Sequence, residues 1–274
     1  EVLYPKHLLD LLNHLKGFQV LPSLPDPLPL NPSPTTLDLE DVKGQENAKR
    51  ALEIAAAGGH HILLFGPPGT GKSMLAQRMS TLLPPPSSQE ILEISQIYSI
   101  SGLLEENGLI AYRPFRDPHH SATLPAMVGG GNKTKPGEIS LAHGGVLFLD
   151  ELPEFSAATL EALRQPLESQ EILISRANER VRFPANFQLI AAMNPCHCGY
   201  LLNETKACKQ APLCGLKYQK KISGPLLDRI DLFVTVEDIS IKDLKKESTY
   251  ANSATIREKV TQTHQLQFER NKRF

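Results

Sequence analysis

The segment Gly66-Pro67-Pro68-Gly69-Thr70-Gly71-Lys72-Ser73 constrains this chain more than any other. It fits the pattern GxxxxGK[ST], directly after the apolar run 61–65 (HILLF) and directly before a helical stretch over 73–83. Glycines there let backbone N–H groups curl around phosphate oxygens, and a helix N-terminus adds the positive end of its dipole. Lys72 then neutralises charge on the outer phosphates, and the Ser73 hydroxyl suits Mg2+. Gly66, Pro67, Pro68, Gly69, Thr70, Gly71, Lys72 and Ser73 are therefore the expected nucleotide-binding residues. A chance match in a glycine turn is the alternative, and the strand–loop–helix setting weighs against it.

Around this loop the chain alternates between helical and buried-strand texture. DVKGQENAKRALEIAAA (41–57) places Ala48, Ala51, Leu52 and Ala55 on one helical face, and Pro84–Pro86 stops the helix after the loop. VLFLD (146–150) and FQLIAAMN (187–194) read as two more buried strands, and LFVTV (232–236) as a further one. Apolar, β-branched strands alternating with helices predict an α/β fold, an αβα sandwich of the P-loop NTPase kind with a parallel sheet covered on both faces. Working residues in such sheets stand at the carboxyl ends of strands.

Those ends carry polar side chains. Asp150 can hold Mg2+ through water, and Glu151 can polarise an attacking water. A kinase would aim its acid at a hydroxyl substrate, and a GTPase would need NKxD, whose fourth place here is Lys135. The expected reaction is ATP hydrolysis. Asn194 either orients that water beside the γ-phosphate or merely forms a turn before Pro195. Arg229, in SGPLLDRIDL (223–232), either stabilises transition-state charge across a subunit boundary or pairs locally with Asp228 or Asp231.

Strand–GPPGTGKS–helix, FLDE, AMNP and GPLLDRIDL, in this order, resemble an AAA+ ATPase of the helix-2-insert clade, which includes magnesium-chelatase I subunits and minichromosome-maintenance helicases. RPFRDPHHSAT, VGGG, PGEISLAHGGVLFLDELPEF and LRQPLES narrow the resemblance to the ComM/YifB competence family, and it covers nearly the whole chain. It implies a hexameric ring that uses ATP and Mg2+ to drive branch migration of branched or single-stranded DNA. Lys72 and Ser73 would be the nucleotide grip, Asp150 and Glu151 the hydrolytic pair, Asn194 the first sensor and Arg229 the trans arginine finger. It also implies a Lon-protease-like domain upstream and a lid continuing past Phe274. The expected units are a helix and proline-rich linker (1–36), an ATPase core (37–237) and the beginning of a helical lid (238–274).

Two segments then acquire roles. Residues 113–135 occupy the place of the helix-2 insert, with Gly129–Gly131 as a mobile tip followed by Lys133 and Lys135. Residues 172–183 read as two short strands around Asn178, the presensor-1 hairpin, bearing Arg176, Arg180 and Arg182. Basic side chains facing a pore would grip phosphates without reading bases; a solvated charged hairpin is the alternative. All four cysteines, Cys196, Cys198, Cys208 and Cys214, lie within one polar loop, as either a structural Zn2+ site or simple thiols. The pairs His60-His61 and His119-His120 lack further ligands at metal spacing and are read as structural.

Composition limits the rest. A net charge of −1 excludes a uniformly basic nucleic-acid coat. The balance is uneven, with 15 basic and 21 acidic residues in 1–200 against 14 and 9 in 201–274. No apolar run nears the roughly 18–20 residues that cross a bilayer, no signal-peptide pattern opens the chain, and four cysteines do not make a secreted scaffold. The expected setting is the bacterial cytoplasm. The start at Glu1 reads as a piece of a longer protein, with the leucine face Leu8, Leu11, Leu12 and Leu15 set against a further domain. A chelatase-like or chaperone-like remodeller acting on a protein partner is the rival reading.

Overall fold

The structure, a computed structural model, describes residues 3, 5, 7–21, 30–31, 36–104, 108–131, 134–175, 180–201, 209–238 and 250–272. Lys133, Arg176, Asn178, Cys208 and most of the proline-rich stretch lie outside the described residues. Among the described residues no helix is long and apolar enough to cross a membrane.

The centre is a five-stranded parallel sheet of β1 (Ile62–Phe65), β2 (Phe115–Arg116), β5 (Val146–Leu149), β8 (Gln188–Met193) and β9 (Leu232–Thr235). Its order is β9-β1-β8-β5-β2, so β1 and its neighbour β8 stand in the middle. All residues of β5 and β8 are buried, as continuous apolar runs covered on two faces must be. Side chains alternate between the faces. Ile62, Leu64, Val146, Phe148, Ile190 and Ala192 pack against α2 (Glu46–Gly58), α3 (Lys72–Leu82) and α11 (Ser253–Asn271), through residues such as Leu52, Leu75, Met79 and Ile256. Leu63, Leu147, Leu149, Leu189 and Ala191 face the other way, towards Met127, Ile139, Leu160 and Leu226. Each such Leu or Phe is worth about 1.5–3 kcal/mol when fully buried, so the two clusters clamp the sheet from both sides.

The predicted core strands and the helix after the loop appear within one or two residues of their expected ends, but the helix expected from Asp41 starts only at Glu46, because a 3-10 turn ends at Asp41 and Gln45 takes a left-handed φ of +58°. Residues 113–135 need a correction, because Phe115 and Arg116 form the sheet's edge strand, paired with Val146 and Leu147, and do not belong to an insert. A two-residue strand has no readable periodicity; Phe115 is held there by stacking on Phe148, ring centroids 6.1 Å apart. The excursion from the sheet is α5 (Leu124–Val128), the hairpin β3 (Gly129–Gly130)–β4 (Lys135–Pro136) and α6 (Glu138–Leu141). Gly129 is therefore a packing residue and not a mobile tip. A Cβ on it would meet Lys135 O at 2.4 Å and Ile174 Cδ1 at 2.9 Å, and its φ is +106°.

Ile174 belongs to the antiparallel hairpin β6 (Glu171–Ser175)–β7 (Arg180–Pro184), where Ile172 lies opposite Phe183 and Leu173 opposite Arg182. Ile172, Ile174 and Phe183 are buried in the core, which leaves Leu173, Arg180 and Arg182 on the outer face. The first helix, α1 (Leu8–Leu15), has no buried residue, and Leu8 and Leu15 are each 73% exposed.

The edge near β2 is held by an ion pair. Arg113 Nη1 donates to Glu90 Oε1 at 2.5 Å and to Gly144 O at 2.8 Å, and Arg113 Nε donates to Pro84 O at 2.9 Å. Glu90 also caps α4 (Ser88–Ser101), accepting from the Ser87 N–H at 2.7 Å. Burial raises the Glu90 pKa, but hydrogen bonds from Arg113 and Ser87 lower it further, so it ends below the ordinary glutamate value. A depressed carboxylate contributes stability above its unfolded pKa and loses it as pH falls through the folded one. Arg113→Ala is expected to destabilise the fold by about 2–4 kcal/mol. Urea unfolding should show this loss at neutral pH and a smaller difference from wild type in acid.

Candidate nucleotide site

Three parallel strands end side by side at the site. After β1 the chain turns through Gly66–Gly71, with Gly69 at φ +79° and Gly71 at φ +89°. Gly66 is backed so closely by the segment after β9 that a Cβ would come 2.0 Å from Val236 O. Gly71 begins α3 without a side-chain cap, leaving first-turn N–H groups for an anion. Gln45 braces the loop from outside, its amide donating to Thr70 O at 3.2 Å and to Glu237 O at 2.7 Å.

Lys72 turns back into this loop. Its ammonium donates to Gly66 O at 2.8 Å, Pro67 O at 2.6 Å and Asn194 Oδ1 at 3.1 Å. Burial pushes its pKa down, while Asp150, Asp238 and Glu151 push it up; the net direction is down. Asn194 follows β8, and its amide oxygen thus reaches the loop lysine. Ser73 donates to Asp150 Oδ2 at 2.7 Å, and Asp150 Oδ1 accepts from the Glu151 N–H at 2.9 Å. A hydroxyl and a carboxylate meeting beside an anion-binding loop are hard oxygen donors of the kind Mg2+ takes, so Ser73 and Asp150 fit that ion. Pro68, Gly69, Gly71, Lys72, Ser73, Met74, Asp150, Glu151 and Asn194 line one cleft of about 370 Å³. Of the expected nucleotide residues, Gly66, Pro67 and Thr70 stand behind that lining.

Glu151 has φ +50° and ψ +48°, a left-handed conformation that costs a non-glycine residue of order 1 kcal/mol. That turn points its carboxylate at His120, whose Nδ1 is 3.3 Å from Glu151 Oε2. The His120 ring packs on His119 with centroids 4.1 Å apart. A second cavity of about 270 Å³, lined by Asp117, Pro118, His119, His120, Asp150 and Glu151, adjoins the cleft. Burial and the nearby Asp150 charge raise the Asp117 carboxyl above its ordinary value. The structural reading of His119-His120 did not single out His120 or Asp117 as neighbours of Glu151, and no local signal marks them, because β2, the strand that brings them there, is too short to show a period. For the other pair that reading fits. His61 Nδ1 accepts from the Leu189 N–H at 3.0 Å, and His60 lies 3.7 Å from Asp231.

The other candidates lie elsewhere. Arg229 does not line the cleft; it pairs with Glu168 of α8 (Arg164–Ser169), while Asp231 accepts from the His61 N–H at 2.7 Å. Arg182 is 71% exposed, 3.5 Å from Glu171, and Arg180 is exposed beside it. Lys135 folds back on α4, donating to Ser101 O at 3.3 Å. The four-thiolate zinc expectation gains no support. Cys196 and Cys198 meet, but Cys208 lies outside the described residues, and among those described no three His, Cys, Asp or Glu side chains are grouped to hold a metal.

The tight backing of the loop is open to test. Gly66→Ala should lower stability by about 1–3 kcal/mol through overpacking against Val236, measured by thermal unfolding without nucleotide. An unchanged midpoint would contradict the close approach.

The family model described as "Magnesium chelatase, subunit ChlI" matches residues 38–244. The competence protein ComM of Haemophilus influenzae is 47% identical over 276 residues, covering 97% of this chain and 53% of its own length. YifB of Salmonella typhimurium, described as uncharacterized, is 50% identical over 243 residues, covering 88% of this chain and 48% of its own. The chain thus spans about half the length of these relatives. With the nucleotide loop, the Asp-Glu strand end and the strand-end asparagine in one cleft of a parallel sheet, the chain belongs to the magnesium-chelatase ChlI family of AAA+ ATPases, alongside the ComM and YifB proteins.

Proposed function

We propose that this chain is the ATP-hydrolysing core of a ring motor that moves branched or single-stranded DNA. The observation that carries the catalytic half is the meeting of Lys72, Ser73, Asp150, Glu151 and Asn194 in one cleft. Phosphates entering at the start of α3 displace Gly66 O and Pro67 O from the Lys72 ammonium, exchanging neutral acceptors for charged ones. Ser73 and Asp150 would hold Mg2+, which when bound would supply neutralisation of phosphate charge. Glu151 accepts the proton of the attacking water, His120 fixes the carboxylate's direction, and Asn194 holds the water in line.

The DNA half rests on the hairpin and on kinship with a relative named as a competence protein. Arg180 and Arg182 stand outward on a hairpin whose inner face is locked into the core through Ile172, Ile174 and Phe183. They supply a phosphate grip on a rigid support, with Lys133, Lys135 and Arg176 as further candidates. Arg229 serves as the finger for a neighbouring subunit after exchanging Glu168 for that neighbour's γ-phosphate. The working assembly is then a homo-oligomer, a hexamer by the family resemblance, in the bacterial cytoplasm.

Lys72→Ala is expected to abolish ATP binding measured by calorimetry. Glu151→Gln should keep binding and stop turnover, and a fully active Glu151→Gln enzyme would refute the hydrolytic role. His120→Ala should lower kcat about 10- to 100-fold with little change in KM for ATP. Removing one outward arginine should reduce the salt dependence of DNA binding by about one phosphate contact. If Arg180→Ala and Arg182→Ala change neither DNA binding nor DNA-stimulated turnover of the full-length protein, the remodeller of a protein partner becomes the better reading.

A further inference from the structure

The chain leaves Glu151 through a 3-10 turn, Leu152–Glu154, with Leu152 and Pro153 buried beneath it. The Glu154 N–H donates to Glu151 O at 2.7 Å and closes that turn. The Glu154 carboxylate lines neither cavity of the site. It faces donors instead. Lys221 Nζ donates to its Oε2 at 3.3 Å, His197 Nδ1 lies 3.2 Å from its Oε1, and the Tyr218 hydroxyl bonds to the same carboxylate. Burial raises the Glu154 pKa, but the bonds from His197 and Lys221 lower it further, so it ends below the ordinary glutamate value.

Tyr218 is the buried member of this cluster. Burial holds its phenol above the ordinary tyrosine value and the Glu154 and Glu151 charges add to that, so the ring stands within electrostatic reach of both carboxylates. Tyr218 and Gln219 are neighbours in α9 (Leu213–Gln219), and they hold two strand ends of the site. Tyr218 reaches the turn after β5, while Gln219 Nε2 donates to Pro195 O at 3.2 Å, next to Asn194. His197, a little further along, joins the same segment to Glu154 directly. One helix end thus ties the position of Glu151 to that of Asn194.

We propose that Glu154 is a positioning residue for hydrolysis, fixing the turn that aims the Glu151 carboxylate and locking it to the strand end of Asn194. This rests on the reading of Glu151 as the acceptor of the attacking water's proton. Glu151 has φ +50° and ψ +48°, which a non-glycine residue keeps only while its surroundings impose it. From one side β5 imposes it. From the other, the turn does so only while its far end is anchored. Without a charged acceptor at position 154, Tyr218 and Lys221 lose their common partner and the turn relaxes. The Glu151 carboxylate then swings out of line with the water, and a misplacement of about 1 Å costs about 100-fold in rate. Nucleotide binding is spared, because Lys72 and Ser73 are held by β1 and α3.

Steady-state ATPase turnover and nucleotide affinity of the full-length protein test this. Glu154→Gln should lower kcat by about 10- to 100-fold, with KM for ATP and the Kd of a non-hydrolysable ATP analogue little changed. Affinity for ADP with aluminium fluoride, a mimic of in-line attack, should fall by a similar factor, since it reads the transition state. Added to Glu151→Gln, Glu154→Gln should weaken aluminium fluoride binding no further, because the two residues act as one unit. Tyr218→Phe keeps the buried ring and should show the same split between kcat and affinity with a smaller loss; it decides the matter if Glu154→Gln does not fold. Wild-type kcat in Glu154→Gln would overturn the proposal. So would an equal fall in kcat and in affinity for the non-hydrolysable analogue, or a further loss of aluminium fluoride binding in the Glu151→Gln background. A fully active Glu151→Gln enzyme would overturn the reading of Glu151 and this proposal together. An inactive Glu151→Gln beside an unimpaired Glu154→Gln would overturn the positioning role alone.

Discussion

One buried ammonium organises the business end of this molecule. Lys72 is 7% exposed, its pKa is pushed down by burial, and its hydrogen bonds run to two loop carbonyls and one side-chain amide. A charge there is tolerable only while those acceptors stay in place, because an unpaired buried ion costs several kcal/mol. The loop glycines, the backing by Val236, the Gln45 brace and the placement of Asn194 all keep acceptors around it. The same arrangement stores a preference for phosphate, since neutral carbonyls are poorer partners for an ammonium than phosphate oxygens.

The sheet order explains why so few residues do so much. With β1 and β8 central, the nucleotide loop, Asn194 and the Asp150-Glu151 pair leave neighbouring strands at one edge. Side-chain geometry there is set by backbone that packing on two faces holds rigid. The strained φ of Glu151 persists because β5 fixes one side of it and the turn through Leu152–Glu154 the other. His120 arrives from the edge strand β2, so the Glu151 carboxylate is aligned from both its own strand end and a neighbouring one.

Much of this was legible in the chain. The three strands of buried apolar runs, the glycine loop and the polar strand ends stand at positions where residue type and spacing are dictated by chemistry. Other features carried no local signal. Phe115–Arg116 is too short to show a period, and its strand exists because Phe115 stacks on Phe148 across 33 residues of sequence. Gly129 looks like a loop glycine, yet its need is for close packing against Lys135 and Ile174, which only the fold reveals. The partners of Arg229 and His120 are likewise set by tertiary approach. Local charges suggested Asp228 or Asp231 for the arginine, whereas the carboxylate that reaches it is Glu168, from a different helix.

The near-zero net charge conceals a division of labour. Acidic residues gather where Mg2+ and a water would be handled, and outward arginines stand on a hairpin anchored to the opposite layer of the core. The motor proposed above would use that separation, because its grip on DNA phosphate would change while its grip on nucleotide changes. The central claim, that the cleft is built to exchange carbonyls for phosphates at Lys72, is tested most directly by a crystal structure with Mg2+ and a non-hydrolysable ATP analogue. The account predicts the Lys72 ammonium on the outer phosphates, with the Ser73–Asp150 hydrogen bond opened by the metal. A nucleotide bound elsewhere, or a Lys72 still bonded to Gly66 O and Pro67 O beside bound nucleotide, would contradict it.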